Sequence, residues 1–154
     1  MAEPATTGSV GRASGSSVAD GQRRSVGSAR VSVGGRAVAY AEYGDPAGQP
    51  VVGLHGTPGS RRFGGMFAPA AAEQGVRLLA IDRPGYGDSA AWPERSLTDI
   101  GDVVAGVLDD VGVERAGVIG VSGGGPHALA VAATHPDRVT SVDVSARAME
   151  LTAQ

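Results

Sequence analysis

Gly120-Val121-Ser122-Gly123-Gly124 is the stretch of sequence that decides the fold of this chain. It has the pattern Gly-x-Ser-x-Gly and lies between a short apolar run and an alanine-rich segment. A serine on a sharp turn from a strand into a helix needs small residues two positions before and after it, because side chains there would collide as the backbone reverses. Gly120 and Gly124 meet this need, so the pattern predicts that Ser122 is a nucleophile on such a turn.

The residues on both sides of this stretch have the composition that a buried strand and a buried helix require. Residues 116–121 form a short apolar run, as in a strand of a parallel sheet. Pro126 suits the first turn of a helix, and residues 128–133 are apolar on all sides. Ser122 is therefore expected near a helix N-terminus, where free N–H groups stabilise an oxyanion, and the N–H of Gly123 is the natural first donor.

A second N–H donor is expected from the loop after an earlier strand. Residues 51–54 form another apolar run, and His55-Gly56-Thr57-Pro58-Gly59 follows it directly. The N–H of Thr57 is the candidate donor, with His55 and Gly56 as supporting residues of the loop.

Three motifs, taken in their order along the chain, resemble those of the α/β-hydrolase family, which contains esterases, peptidases and related enzymes. The first is the loop at residues 55–59, and the third is the segment around Ser122. Between them lies Asp82-Arg83-Pro84-Gly85-Tyr86-Gly87-Asp88-Ser89, which follows a further apolar run. Each motif alone is weak, but the order and the strand-end placement are jointly specific. The resemblance extends from about residue 28 to the end of the chain.

The resemblance implies an α/β fold with a mostly parallel sheet and helices on both faces. It also implies a serine hydrolase that cleaves an ester, amide or related acyl bond of a small-molecule substrate through an acyl-enzyme on Ser122. The serine argues against the epoxide and haloalkane branches of the family, which typically use an aspartate at this position. Esterase, peptidase, thioesterase, acyltransferase and haloperoxidase-like reactions stay open.

The rest of the chain predicts roughly six strands and three helices. Gly34-Gly35 suits a tight hairpin turn. Ser96 suits the N-cap of a helix whose apolar residues fall on one face as far as Val111. A further helix is expected within residues 62–74 and another after Ser122. The strands are predicted at residues 30–33, 36–43, 51–54, 76–81, 116–121 and 139–144.

Nothing in the chain fits the base of a catalytic triad, which takes the proton from the serine. His55 is expected to bond nearby backbone within its loop. His127 follows Ser122 too closely to reach its hydroxyl, although it is a candidate for the pocket floor. His135 closes the helix and is expected at the surface. In the family the histidine comes last in the order serine, acid, histidine, and nothing here follows that order.

The triad acid is also expected to be absent from residues 1–154. Glu150 is the weak alternative, and Asp143 alternates with valines inside a strand and is expected to be structural. A doubly wound hydrolase usually needs well over roughly 200 residues. We therefore expect a domain truncated after about the sixth strand, with its acid and histidine further along a longer protein. The 154-residue chain itself should then have little or no turnover.

Composition excludes several other classes of function. The chain has no cysteine, which excludes disulfides and thiolate metal sites; no other metal cluster is evident, and no cofactor is expected. A net charge of −3 and scattered arginines give no footprint for nucleic acid. No apolar run approaches the roughly 20 residues of a membrane span. A cytoplasmic location is the expectation.

Three segments are not expected to take part in catalysis. Residues 1–27 are rich in Gly, Ser and Ala and are expected to form a disordered tail before a domain at 28–154. The loop at residues 82–89 is expected to brace its neighbours more than to bind ligand. Arg61, Arg62 and Phe63 lie close enough to touch substrate, but an arginine pair is more often a solvated surface.

Two other functions remain as alternatives. The first is a non-catalytic half-domain that binds a partner, or associates with itself through the sheet edge exposed after the last strand. The second is a dinucleotide-binding domain, because residues 120–125 are glycine-rich, open a helix and precede Asp143 by about 20 residues. The dinucleotide alternative leaves the two earlier motifs unexplained.

Overall fold

The computed structural model describes residues 28–145, within which six strands form one sheet. The predicted tail at residues 1–27 and Glu150, the weak candidate for the acid, lie outside the described residues. The strands are β1 (Ser28–Val33), β2 (Arg36–Gly44), β3 (Gln49–Leu54), β4 (Val76–Ile81), β5 (Ala116–Val121) and β6 (Val139–Ser145).

The strand order in the sheet is β1-β2-β4-β3-β5-β6. Strands β3 to β6 pair in parallel, whereas β2 is antiparallel to both of its neighbours, β1 and β4. The hairpin between β1 and β2 turns at Gly34 and Gly35, whose φ angles of 56° and 79° favour glycine. Because the carboxyl ends of parallel strands share one edge, the loops that follow β3, β4 and β5 meet there.

Helices cover both faces of the sheet. They are α1 (Ala68–Glu73), α2 (Ile100–Asp110) and α3 (Gly125–Thr134), with short 3-10 turns at Arg61–Met66, Leu97–Asp99, Ser122–Gly124 and Pro136–Arg138. Helix α1 and the first turn pack on β2 and β4, while α2 and α3 pack on the opposite face. The prediction of a mostly parallel sheet with helices on both faces is confirmed.

Helix α2 shows where local prediction and structure differ. Its apolar face is buried at Ile100, Val104 and Leu108, as the spacing predicts. The first three predicted helical residues form a 3-10 turn instead, and Leu97 is 47% exposed and lies off the buried face. At this end the Asp99 carboxylate accepts a hydrogen bond from the Ser96 backbone N–H at 2.8 Å, which satisfies one free donor of the helix start.

A buried tyrosine joins the sheet to α2. The Tyr40 hydroxyl donates to Asp110 Oδ2 at 2.5 Å. Burial first, and then the hydrogen bond and charge of Asp110, raise the pKa of Tyr40 above its ordinary value. The pKa of a tyrosine in an unfolded chain is about 10. Below that pH the stabilisation from Tyr40 is fully present, and it is lost as the pH rises further, because ionisation then favours the unfolded chain.

We therefore expect Tyr40→Phe to reduce the loss of stability above about pH 10, at a cost of about 1 kcal/mol at neutral pH for the lost hydrogen bond. Denaturant unfolding at stepwise pH measures both effects. Some alkaline sensitivity should remain, because burial also raises the pKa of Tyr43. Tyr86→Phe is the control. The pKa of Tyr86 is lowered, first by its hydrogen bond with Thr57, so removing this hydroxyl should not reduce the alkaline loss of stability. An alkaline slope in Tyr40→Phe equal to that of the unaltered chain would contradict this account.

No helix within residues 28–145 is both long enough and apolar enough to cross a membrane.

Candidate active site

Ser122 lies on a strained turn between β5 and α3. It is exposed, and it is the one residue other than glycine in the described part of the chain with a positive φ, 51°. The turn leaves no room for side chains beside it. A β-carbon at Gly120 would lie 2.3 Å from the Gly124 carbonyl oxygen, and one at Gly124 would lie 2.1 Å from the Leu54 carbonyl oxygen. Because both clashes involve backbone, the turn requires glycine at both positions.

The loop after β3 lies directly against this turn. A β-carbon built on Gly123 would lie 3.3 Å from the Thr57 nitrogen, and one built on Gly56 would lie 3.3 Å from the Ser122 β-carbon. Thr57 is exposed, as is Ser122. The structure therefore brings the two candidate N–H donors, Gly123 and Thr57, together beside the serine.

His55 is fully buried under this loop and engaged through both ring nitrogens. Its Nε2 accepts a hydrogen bond from the Arg83 backbone N–H at 3.0 Å, and its Nδ1 lies 2.7 Å from the Gly56 carbonyl oxygen. Since a carbonyl only accepts, the proton of the neutral ring belongs on Nδ1. Burial lowers the pKa of His55. These contacts are those of a histidine that holds the loop, and they leave no nitrogen free to act as a base.

The other two histidines are also engaged away from Ser122. The Nδ1 of His127 lies 3.0 Å from the Gly123 carbonyl oxygen, and its Nε2 lies 3.3 Å from Arg83 Nη1. His135 follows α3 with 24% of its side chain exposed, and its Nε2 lies 3.2 Å from Asp102 Oδ1 on α2. His135 is therefore a partly exposed side chain that also joins two helices.

Among residues 28–145, no histidine or carboxylate makes a hydrogen bond with the Ser122 hydroxyl. Asp143 is exposed on the edge strand β6, in register with Ile119 of β5. The same part of the chain holds no group of three or more His, Cys, Asp or Glu side chains placed to bind a metal ion. The candidate nucleophile and the two candidate N–H donors thus lie together, and no side chain among residues 28–145 is placed to take the serine proton.

Arg83 is the residue at this site that the sequence did not single out. It is only 3% exposed, and it donates to the His55 carbonyl oxygen at 2.9 Å and to Thr57 Oγ1 at 2.8 Å. Its guanidinium also packs over the Tyr86 ring, with the central carbon 4.7 Å from the ring centroid. These contacts agree with the expectation that the loop at 82–89 braces its neighbours. The motif that contains Arg83 is evident in the sequence. The groups that Arg83 binds are not.

The prediction of an exposed arginine pair at residues 61 and 62 is wrong for Arg61. Arg62 is exposed, but Arg61 is 7% exposed and its Nη1 donates to Asp82 Oδ2 at 2.5 Å. Its Nη2 donates to Asp88 Oδ2 at 2.8 Å. The cause is Asp82, which is fully buried and therefore needs a cationic partner.

An apolar groove lies on the sheet face that carries α1. It has a volume of about 270 Å³, and its lining includes Phe63, Phe67 and, from β5, Ile119 and Val121. Phe63 thus lines this groove. Val121 immediately precedes Ser122, so one end of the groove lies next to the strained turn.

Comparison with known families gives one match that covers most of the chain. Residues 49–147 match the family described as alpha/beta hydrolase fold. The matched range contains the loop after β3, the loop after β4 and the turn at Ser122.

In each individual relative, the segment that matches this chain is only a part of the relative's own length. Epoxide hydrolase B of Mycobacterium tuberculosis is 43% identical over 102 residues, which are 64% of this chain and 28% of that protein. The dihydrolipoyllysine-residue acetyltransferase component of the acetoin cleaving system of Pseudomonas putida is 35% identical over 120 residues, 77% of this chain and 32% of that protein. The crystal structure of epoxide hydrolase A from Mycobacterium thermoresistibile matches with a TM-score of 0.65 and 32% identity, over 77% of this chain and 38% of that one. The chain spans about a third of the length of these curated relatives.

Proposed function

Because the chain belongs to the alpha/beta hydrolase fold family, we propose that it is the nucleophile-bearing part of a serine hydrolase that cleaves ester, amide or related acyl bonds. The observation that carries this proposal is the turn at Ser122, where an exposed serine is held at a φ of 51° beside the loop that contains Thr57. Strain of this kind persists only where the surrounding structure enforces it, and it concentrates at functional sites.

In the proposed reaction the Ser122 hydroxyl attacks the carbonyl carbon of the substrate and passes its proton to a base. The N–H groups of Gly123 and Thr57 hold the negative charge that develops on the carbonyl oxygen. The tetrahedral intermediate collapses when the alcohol or amine leaves with that proton, and an acyl-enzyme on Ser122 remains. Water then attacks the acyl carbon, which releases the carboxylic acid and restores the serine.

The base and the orienting acid are proposed to lie beyond residue 154 of a longer protein. His55 and His127 are each hydrogen-bonded through both ring nitrogens to groups other than Ser122. The relatives are about three times as long as the matched segment, which leaves room for both residues. In this proposal the 154-residue chain alone has little or no turnover.

The residue at the turn also bears on the kind of bond that is cleaved. Two of the three similar proteins named above carry the name epoxide hydrolase, and that branch of the family typically attacks with an aspartate. This chain has serine at that position, and a serine hydroxyl suits acyl transfer, in which the oxyanion donors stabilise the intermediate. We therefore propose acyl chemistry in preference to epoxide opening.

A non-catalytic half-domain that binds a partner is the second candidate. The observations that favour it are the lack of a base among residues 28–145 and the apolar groove beside β5. Edge strand β6 also exposes 49% of Val144, and an exposed edge is a site for self-association. Such a protein would be a dimer or a complex, whereas the hydrolase proposal places small molecules at the site and the protein in the cytoplasm.

Fluorophosphonate labelling of a lysate from the native source separates these two candidates. We expect the probe to react with Ser122, located by peptide mapping, in a species well above the 15.3 kDa of this chain. Intact mass of the labelled product gives the size of the protein that carries the site. An unlabelled species at 15.3 kDa would contradict the hydrolase proposal and support the half-domain.

A further inference from the structure

We propose that Arg83 is a positioning residue that holds both oxyanion donors, Thr57 on one side and Gly123 on the other, through a single buried guanidinium. This inference rests on the proposed function, because it concerns the N–H groups that would bind the oxyanion. Arg83 lies on the loop after β4 and is 3% exposed, so its donors serve the protein and not solvent.

The first side of this clamp is the loop after β3. Arg83 Nη2 donates to Thr57 Oγ1 at 2.8 Å, and Arg83 Nε donates to the His55 carbonyl oxygen at 2.9 Å. The backbone N–H of Arg83 donates to His55 Nε2 at 3.0 Å. Three hydrogen bonds from one residue therefore fix the loop on both sides of Gly56, and the peptide that carries the Thr57 N–H lies between the anchored groups.

The second side reaches the turn at Ser122 through His127. Arg83 Nη1 lies 3.3 Å from His127 Nε2, and His127 Nδ1 lies 3.0 Å from the Gly123 carbonyl oxygen. A guanidinium only donates and a carbonyl only accepts, so the ring must accept at Nε2 and donate from Nδ1. Burial first, and then the charge of Arg83, lower the pKa of His127, which agrees with a neutral ring in this position.

Holding the Gly123 carbonyl matters because Gly123 has no side chain. Its N–H and its carbonyl are separated by the φ and ψ bonds of a glycine, which side-chain sterics restrain less than those of other residues. A hydrogen bond on the carbonyl narrows the directions that the N–H can take. The clamp thus sets the angle between two donors that must converge on one oxygen, and small errors in such geometry cost up to about a hundredfold in rate.

The tautomer of His127 tests the clamp without any need for catalysis. In chain labelled with 15N-histidine, the ring nitrogen shifts at neutral pH show which nitrogen carries the proton. We expect His127 to be protonated at Nδ1 and not at Nε2, and we expect Arg83→Met to lose part of this preference. A ring protonated at Nε2 in the unaltered chain would overturn the clamp, whatever chemistry Ser122 performs.

The rate of Ser122 phosphonylation tests what the clamp does. Without a base among the described residues, the residual reactivity of Ser122 depends largely on the oxyanion donors. Intact mass measured over time in mildly alkaline buffer gives the rate. His127→Phe keeps a ring but removes one side of the clamp, and Thr57→Val removes the other while it keeps the N–H. We expect both to lower the maximal rate of modification about tenfold to a hundredfold, with unchanged probe affinity and only the small fall in melting temperature that a lost hydrogen bond causes.

The variants also separate the possible failures. Arg83→Lys should recover part of the rate lost in Arg83→Met. Arg115 is an exposed arginine at the opposite end of β5 from Ser122, and Arg115→Met should leave the rate unchanged. If Arg83→Met does not fold, His127→Phe and Thr57→Val still decide, and a rate equal to that of the unaltered chain in both would overturn the clamp. If Ser122 of the native-length protein does not react at all, the proposed function fails, while the His127 tautomer still decides the clamp.

Discussion

Changing Ser122 to alanine is expected to abolish fluorophosphonate labelling of the native-length protein and to lower its turnover by about a millionfold. The hydroxyl is the only group at the turn that could form the acyl bond, and the two N–H donors have no oxyanion to stabilise without it. Labelling intensity and the hydrolysis rate of a simple ester measure the two losses. Labelling that persists in Ser122→Ala would place the nucleophile elsewhere and end the proposal.

Ser122→Gly is the matched control for the strain at this position. It removes the hydroxyl as alanine does, but glycine tolerates the φ of 51° without a steric cost. We expect it to raise the free energy of unfolding by about 1 kcal/mol above that of Ser122→Ala, while labelling stays absent in both. Equal stability of the two variants would show that the turn is not strained.

Ser122→Ala also tests whether this chain contains its own base. For the 154-residue chain we expect little or no ester hydrolysis before or after the change to alanine. Measurable hydrolysis that disappears in Ser122→Ala would mean that His127 or His55 leaves its hydrogen bonds and serves Ser122. It would then be wrong to place the base beyond residue 154.

The fold could be predicted from the sequence because its main signals are local. The hairpin at Gly34-Gly35 and the turn at Ser122 depend on glycines whose conformation or surroundings exclude side chains. Apolar runs mark the buried strands between them. Boundaries were less accurate, since the helix expected within residues 62–74 is a 3-10 turn followed by the short helix α1.

The misjudged side chains are those whose environment is set by distant partners. Arg61 is buried because Asp82, 21 residues later, needs a cation. His135 contacts Asp102 of α2, which is likewise a partner that the local sequence does not show. Local pattern carries no information about such pairs, so it predicts an exposed position for Arg61 beside Arg62 and gives no partner for His135. Arg83 shows the same limit, since its motif was evident but its bonds to His55, Thr57 and His127 come from the tertiary fold.

Changing Arg61 to methionine is expected to lower the free energy of unfolding by about 3–5 kcal/mol, because it leaves a buried carboxylate without its cation. Asp82 is fully buried, and Arg61 contacts it through the backbone N–H and through Nη1, each at 2.5 Å. Burial alone would lower the pKa of Arg61, but its bonds to Asp82 and Asp88 raise it overall, so the group is a cation in the fold. Denaturant unfolding measures the loss.

Two further variants decide whether the lost charge pair or lost packing is the cause. Arg62→Met changes the exposed neighbour and should stay within about 0.5 kcal/mol of the unaltered chain. Arg61→Met combined with Asp82→Asn removes the buried charge and keeps one oxygen, which can accept one of the two backbone N–H groups, those of Arg61 and Asp88, that Asp82 accepts through separate oxygens. We expect this double variant to recover part of the stability lost in Arg61→Met, because replacing both ions avoids an unpaired one. A double variant no more stable than Arg61→Met would mean that the arginine acts through its packing, and that the charge of Asp82 is compensated by backbone N–H groups alone.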